Sequence, residues 1–332
     1  MILLHASAFP YPIPVDITPT VTWNWWTINV YGALGSLGVP LFVMLSGALL
    51  LEPSKAEEPL GVFFKKRFNR VGLPIIFWSI AYFAWNFYVH GEPLSLDIVL
   101  QGLLSGSYVH LWFLYLLVGL YLITPVLRVM VKHLDWKKFK YLTALWFVGT
   151  VSVPLINTFG AFSFNPVLFV FTGWIGYFLL GIFLQKVKVR SWILALGTIL
   201  GLVGAVVGAY ATAALVGERF ITFFHESLSF NMIIASTAVF LLLIAIPASR
   251  IQSRHANFNR LVHWISQNTL PIYLLHLMVL ESLELGFLGL TLNRNTMNPI
   301  IEVPLITIIT LLLSAAIIYP LNKIPFVKKL IG

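Results

Sequence analysis

The stretch Gly61–Trp78, GVFFKKRFNRVGLPIIFW, decides how the chain is placed. It packs Lys65, Lys66, Arg67 and Arg70 into one short cluster, with an apolar run of membrane length on either side. Two readings compete for Arg67 and Arg70, which sit three residues apart. Lys and Arg gather wherever a chain is held on the cytoplasmic side of a bilayer. Guanidinium groups also suit phosphates, because they offer bidentate, charge-assisted hydrogen bonds.

Around this stretch the composition sets the class. Of 332 residues, 59% are hydrophobic and 10% charged, with mean hydropathy +0.89. Soluble domains carry about 25% charged residues. No long polar region could form a separate soluble domain, so residues 1–332 are expected to be a single, all-α, polytopic membrane domain. The absence of cysteine excludes disulfides, thiolate metal sites and a cysteine nucleophile. A net charge of +9 invites a nucleic-acid reading, which the placement of the charges argues against.

A spanning helix needs about 20 predominantly apolar residues. Apolar runs broken by charge, Pro and Asn predict spans near 28–51, 71–89, 109–131, 141–156, 167–184, 192–216, 228–248, 270–290 and 300–321. Before them stands MILLHASAF, ended by Pro10. Nine residues rise only about 14 Å of a roughly 30 Å core, so this piece reads as the outer half of a truncated first helix. It has no basic leader of the kind a signal peptide carries. The plan is therefore about ten helices, the first of them truncated. The following loop, 10–27, PYPIPVDITPTVTWNWWT, offers Trp23, Trp25 and Trp26 to an interfacial aromatic belt, with substrate stacking as the alternative.

Charge asymmetry orients the plan. Nineteen of the 21 basic residues fall in alternate loops and at the C-terminus, and only Arg219 and Arg294 fall in the others. The richer side is cytoplasmic, which puts the C-terminus inside and accounts for most of the +9.

Ionisable groups deep in the membrane are functional candidates by default. His276, in LPIYLLHLMVLE, lies ten residues beyond Ser266, about 15 Å into the bilayer. His5 lies in the outer half of the stub, His110 opens HLWFLYLLVGLYLITPVL at the outer mouth, and His225 and Glu226 begin the 228–248 span. His110 and His225 read best as packing or interfacial groups. Ser46, in MLSGALL, reads as close helix packing. The sequence carries no Gly-rich phosphate loop, HExxH pair or GxSxG elbow.

Five pieces in order give the chain a family likeness: His5 after an apolar run, GVPLFVMLSGALL, FFKKRFNRVGLP, HLWFLYLLVGLYLITPVL and LPIYLLH. Together they resemble the acyltransferase-3 family of integral membrane O-acyltransferases. The LWFLY and GYFLLG pieces are most similar to the subgroup containing the enterobacterial-common-antigen O-acetyltransferase. The resemblance implies a multi-pass protein of the bacterial cytoplasmic membrane. Such a protein moves an acyl group, acetyl or another short one, from acyl-CoA to a hydroxyl of a lipid-linked or cell-surface glycan, without a metal. It also implies that Arg67 and Arg70, matching an RxxR motif, engage the CoA phosphates, and that His5 is the catalytic base. His276, Trp112, Tyr115 and Glu226 are carried as supporting residues. The family's Arg about ten residues before that His has no counterpart in this sequence.

The chemistry fits without the likeness. A thioester is already activated, so the tasks left are to deprotonate a hydroxyl and to hold two substrates together. A neutral imidazole taking that proton contributes roughly 10²–10⁴ in rate. A multi-span transporter or flippase would share the span count and the buried ionisable groups, but the inverted repeats and paired broken helices common in such proteins are not seen. The orientation has a direct test in this cysteine-free background. Cysteines introduced at Ser54, Lys137, Lys188 and Gly332 are expected to be protected from an impermeant thiol reagent in intact cells. Cysteines at Asn24, Ser95 and Asn295 are expected to label. The reverse pattern would overturn the orientation.

Overall fold

The computed structural model describes residues 1–7, 19–160, 165, 172–215, 221–247, 256–289, 291–292 and 297–332. Pro10 and the loop to residue 18, residues 167–171, the C-terminal ends of several predicted spans, and Arg219, Arg250, Arg254, Arg294 and Asn295 lie outside the described residues. Among the described residues there is no strand.

In chain order the helices are α1 (Ile2–Ala6), α2 (Pro19–Ser36), α3 (Gly38–Leu50), α4 (Leu60–Arg67), α5 (Leu73–Trp85), α6 (Leu96–Ser105), α7 (Trp112–His133) and α8 (Trp136–Phe159). There follow α9 (Trp174–Phe183), α10 (Ser191–Leu215), α11 (Phe230–Ile244), α12 (Ala256–Gln267), α13 (Thr269–Glu284), α14 (Pro299–Leu321) and α15 (Pro325–Ile331). Seven helical stretches are long and apolar enough to cross a membrane: Trp23–Leu50, Leu60–His90, Trp112–His133, Trp136–Phe159, Ser191–Ala214, Phe223–Ile244 and Pro299–Leu321. Helices suit this setting because they satisfy their own backbone where no water can.

These seven match seven of the predicted spans. The predicted spans 167–184 and 270–290 correspond to the shorter α9 and α13. Ten residues of α9 rise only about 15 Å, half of a bilayer core. The predicted outer loop 10–27 is also helical from Pro19 onward, with the proline's fixed φ suiting a first helical position. Trp25 is buried and packs edge-on against Trp26, so it serves the interior and not the interfacial belt.

The apolar faces are divided between protein and lipid. On α7, Leu120, Tyr121, Thr124, Leu127, Arg128 and Val131 are buried, while Leu122, Val126 and Val129 are exposed although apolar. Apolar side chains on the outer surface are what a lipid solvent asks for. Lipid gives no hydrophobic force between helices, so association rests on close packing and interhelical hydrogen bonds. A Cβ on Gly47 of α3 would run into the Phe178 carbonyl of α9, and one on Gly181 of α9 into the Met44 carbonyl of α3. On α10, Gly201 faces the Asn231 carbonyl and Ala235 of α11, and Asn231 donates back to the Gly201 carbonyl at 3.1 Å. Gly35 of α2 makes room for α1, since a Cβ there would meet the Leu4 backbone. The short α1 thus sits inside the bundle, against α2, α13 and α14.

Between α4 and α5 the helix widens into a π turn, Phe68–Gly72, which contains Arg70. On the same side of the bundle, Arg128 closes the loop after α3. Its Nε donates to the Leu50 carbonyl at 2.7 Å and its Nη1 to the Lys55 carbonyl at 3.1 Å. Its guanidinium also lies 4.7 Å from the centre of the Phe63 ring. Glu58 bridges Arg128 at 2.9 Å and Lys66 at 2.8 Å, and the Lys66 and Arg128 hydrogen bonds hold its carboxyl below the usual Glu range.

A carboxylate with a lowered folded-state pKa stabilises above its unfolded value, about 4.3, and loses that contribution as the pH falls through the lowered one. Glu58→Gln is therefore expected to lower thermal stability at pH 7, by up to about 3 kcal/mol because it leaves the buried Arg128 charge without its carboxylate. The gap between parent and variant should begin to narrow as the pH falls below about 4.3 and close once it passes the lowered folded-state value. Thermal unfolding in detergent across pH measures both, and a gap that persists in acid would refute the assignment.

Candidate functional site

Three imidazoles from distant parts of the chain meet inside the bundle. α1 supplies His5, the turn before α7 supplies His110, and α13 supplies His276. The His276 ring centre lies 5.3 Å from that of His5 and 5.2 Å from that of His110. His110 and His276 are fully buried, while His5 remains partly accessible.

Their tautomers follow from their partners, because a carbonyl oxygen only accepts. His276 Nδ1 contacts its own helix's Tyr273 carbonyl, so Nδ1 carries the proton and Nε2 presents its lone pair. His110 Nε2 lies 3.2 Å from the Leu274 carbonyl, so the proton is on Nε2 and the lone pair on Nδ1. Neither of these lone-pair nitrogens has a hydrogen-bond partner among the described residues. Tyr273 completes the cluster, donating its hydroxyl to the His110 carbonyl at 2.5 Å, with its ring centre 5.5 Å from that of His276.

Two cavities border this cluster. One, of about 390 Å³, has Arg70 and Tyr121 among its walls at one end and Phe113 and Tyr273 at the other. The second, of about 250 Å³, holds His5 together with Trp112, His225 and Glu226. Met1 and Val39 line both, so the two cavities share a wall beside His5.

Of the sequence-predicted residues, the structure therefore brings His5, Trp112 and Glu226 to one cavity, with His276 behind His5. Arg70 opens onto the other cavity, and its Nη1 donates to the Gly332 carbonyl at 3.0 Å. Arg67 is half-buried, 5.6 Å from the Phe63 ring centre and 5.7 Å from that of Tyr121, itself a wall of the same cavity. Tyr115 is not part of the cluster. Its hydroxyl donates to the Leu103 carbonyl of α6 at 2.7 Å and ties α7 to that helix. Ser46 lines the Arg70 cavity.

Sequence reasoning missed His110 as the third ring of the cluster. Glu281 stands out in the sequence as an ionisable residue following His276, but its partners do not: its carboxylate accepts from Trp85 Nε1 at 2.7 Å and from the Tyr108 hydroxyl, and faces His90 Nε2 at 3.2 Å. Burial and the Glu281 contact push the Tyr108 hydroxyl well above the ordinary tyrosine range, so it stays a donor. Glu281 thereby pins the loop that carries His110 to the helix that carries His276. Tyr273 had a signal that could have found it, since it stands one turn before His276. Among the described residues no group of three or more His, Cys, Asp or Glu is arranged to hold a metal ion.

Comparison with known families gives one match. The acyltransferase-3 family model, described as an acyltransferase domain, matches residues 1–319. Comparison with curated proteins and with solved structures finds no match.

Proposed function

The chain belongs to the acyltransferase-3 family, and from that premise we propose that it transfers an acyl group, acetyl or another short one, from cytoplasmic acyl-CoA to a hydroxyl of a lipid-linked or cell-surface glycan. The acceptor arrives from the outer side of the bacterial cytoplasmic membrane. One observation carries the reading: the cavity that opens at Arg70 and the cavity that holds His5 share a wall at Met1 and Val39. A donor entering past a basic helix end and an acceptor entering from the other face would meet at an imidazole.

In this mechanism Arg70, with Arg67 beside it, binds the phosphates of CoA, and the pantetheine arm runs past Tyr121 toward Tyr273 and Phe113. His5 takes the proton of the acceptor hydroxyl as its oxygen attacks the thioester carbonyl. The carbon–oxygen bond forms, the carbon–sulfur bond breaks, and the departing CoA sulfur takes the proton from the imidazolium. His276 supports His5 from behind as a neutral ring. Trp112 and Glu226 line the acceptor side.

Two substitutions separate the roles. In the Arg67→Lys/Arg70→Lys variant the charge is kept and the planar fork is lost. Acyl-CoA affinity, measured calorimetrically on purified protein, is expected to fall about tenfold, the equivalent of about 1.4 kcal/mol. Unchanged affinity would return both residues to the role of inside-positive markers. His5→Gln keeps a polar side chain but cannot accept the proton. Thiol release from acetyl-CoA in native membranes is expected to drop by about 10²–10⁴, with acyl-CoA affinity retained. Turnover at the parent rate would remove His5 as the base.

A further inference from the structure

α8 leaves a cavity of about 600 Å³ beside it that the two cavities at His5 do not use. It is the least enclosed of the seven spans, with only 17% of its apolar stretch buried inside the protein. It packs on α9, where the Phe139 and Phe183 rings stack with centres 3.6 Å apart. The cavity's walls come from four helices. Ala144 and Phe147 of α8, Leu180 of α9, Leu194 of α10, and Ile233 and Leu241 of α11 are among them. Apart from Lys140, Thr143 and Thr237, every wall is apolar or aromatic. Two of the walls, Ile193 and Ile234, are 42% and 44% exposed, so the cavity is a groove on the outside of the bundle, where lipid stands.

The groove has the depth of one leaflet. On α8 its walls run from Trp136 to Phe147, a rise of about 16 Å, and half of a bilayer core is about 15 Å. Its Trp136 end is basic. Lys140 is a wall, Lys137 stands one turn before it, and the segment joining the walls Leu184 and Ile193 carries Lys186, Lys188 and Arg190. All five are exposed. Between Asp97 and Glu218 the sequence has a single acidic residue, Asp135, and Lys138 binds it at 3.1 Å. None of the five has an acidic partner among the described residues. The fold thus supplies no counter-charge here. This is the end that the charge pattern assigns to the cytoplasm, and the cytoplasmic leaflet carries anionic lipids.

We propose that this groove is a binding site for an anionic phospholipid of the cytoplasmic leaflet, with an acyl chain between α8 and the α10–α11 pair and the phosphate among Lys140, Lys186, Lys188 and Arg190. The two halves of the site select together. The apolar walls take a chain of one leaflet's length, and the exposed cations take a net negative headgroup. A zwitterionic headgroup brings its own ammonium and gains less from the basic end. A phosphate without a chain gains nothing from the groove. The site lies apart from the His5 cavities, so the inference stands independently of the transfer reaction proposed above.

The test is native mass spectrometry of the full chain in mild detergent, titrated with phosphatidylglycerol, with phosphatidylcholine of the same chains, with glycerol 3-phosphate and with a polyprenyl phosphate. The first phosphatidylglycerol is expected to bind about tenfold more tightly than the first phosphatidylcholine, and glycerol 3-phosphate is expected not to compete. Lys140→Gln/Lys186→Gln/Lys188→Gln changes only exposed residues, so folding is retained. It should remove the preference and leave phosphatidylcholine binding as it was. Ala144→Trp fills the groove from an exposed wall position and should weaken both lipids. The charge variant keeps the test decisive if the tryptophan variant fails to fold. Equal affinity for the two lipids, a preference that survives the charge variant, or binding that a folded Ala144→Trp leaves unchanged would overturn the site. Competition by glycerol 3-phosphate would reduce it to a surface for phosphate alone, and tighter binding of the polyprenyl phosphate would give the groove to a lipid-linked substrate instead.

Discussion

The site hangs from one backbone carbonyl, that of Leu274. It accepts from the Tyr82 hydroxyl at 2.8 Å and faces His110 Nε2 at 3.2 Å. A carbonyl has two lone pairs, and in a bilayer interior no water competes for them. This one atom therefore ties α5, the turn before α7, and α13 together at the level where the imidazoles meet. The Tyr273 hydroxyl returns the tie by donating to the His110 carbonyl. His110 and His276 are held by backbone oxygens and not by carboxylates. Each of these two rings is thereby fixed as a neutral tautomer with its other nitrogen presenting a lone pair.

Local signals were legible in the sequence and distant pairings were not. The seven long helices, the basic cluster at Lys65–Arg70, and His5 all announce themselves within a window of some twenty residues. His110 does not. Its hydrogen-bond partner lies 164 positions away, and by local pattern it is one polar residue at the mouth of an apolar helix. Glu281 was visible as a charged residue in an apolar run, but Trp85, His90 and Tyr108 converge on it only in three dimensions. Tyr115 shows the reverse. It shares a motif with Trp112 in sequence, yet its hydroxyl is taken by α6 and only Trp112 reaches the His5 cavity.

Two of the predicted spans, 167–184 and 270–290, fall on helices shorter than a membrane span among the described residues. α9 is apolar throughout but holds ten residues. It begins beside Trp146, whose Nε1 donates to the Gly173 carbonyl at 2.6 Å, ten residues into α8. Its place is set by side-chain-free contacts with α3 at Gly47 and Gly181, which a hydropathy window does not register. α13 is long enough in part but carries His276, Glu281 and Glu284, so the polar groups that make it interesting also dilute its membrane signal.

The π turn changes what the Arg67–Arg70 spacing means. In a regular α-helix each residue advances the side chain by about 100°, so a residue three positions on returns to within about 60° of the first. Two arginines so spaced would form a single fork. The wider turn at Phe68–Gly72 breaks that phase. Arg67 is turned onto the rings of Phe63 and Tyr121, and Arg70 onto the cavity mouth and the Gly332 carbonyl. The two guanidinium groups therefore face different surroundings, one behind a tyrosine wall and one at the cavity rim, a separation that the sequence motif conceals.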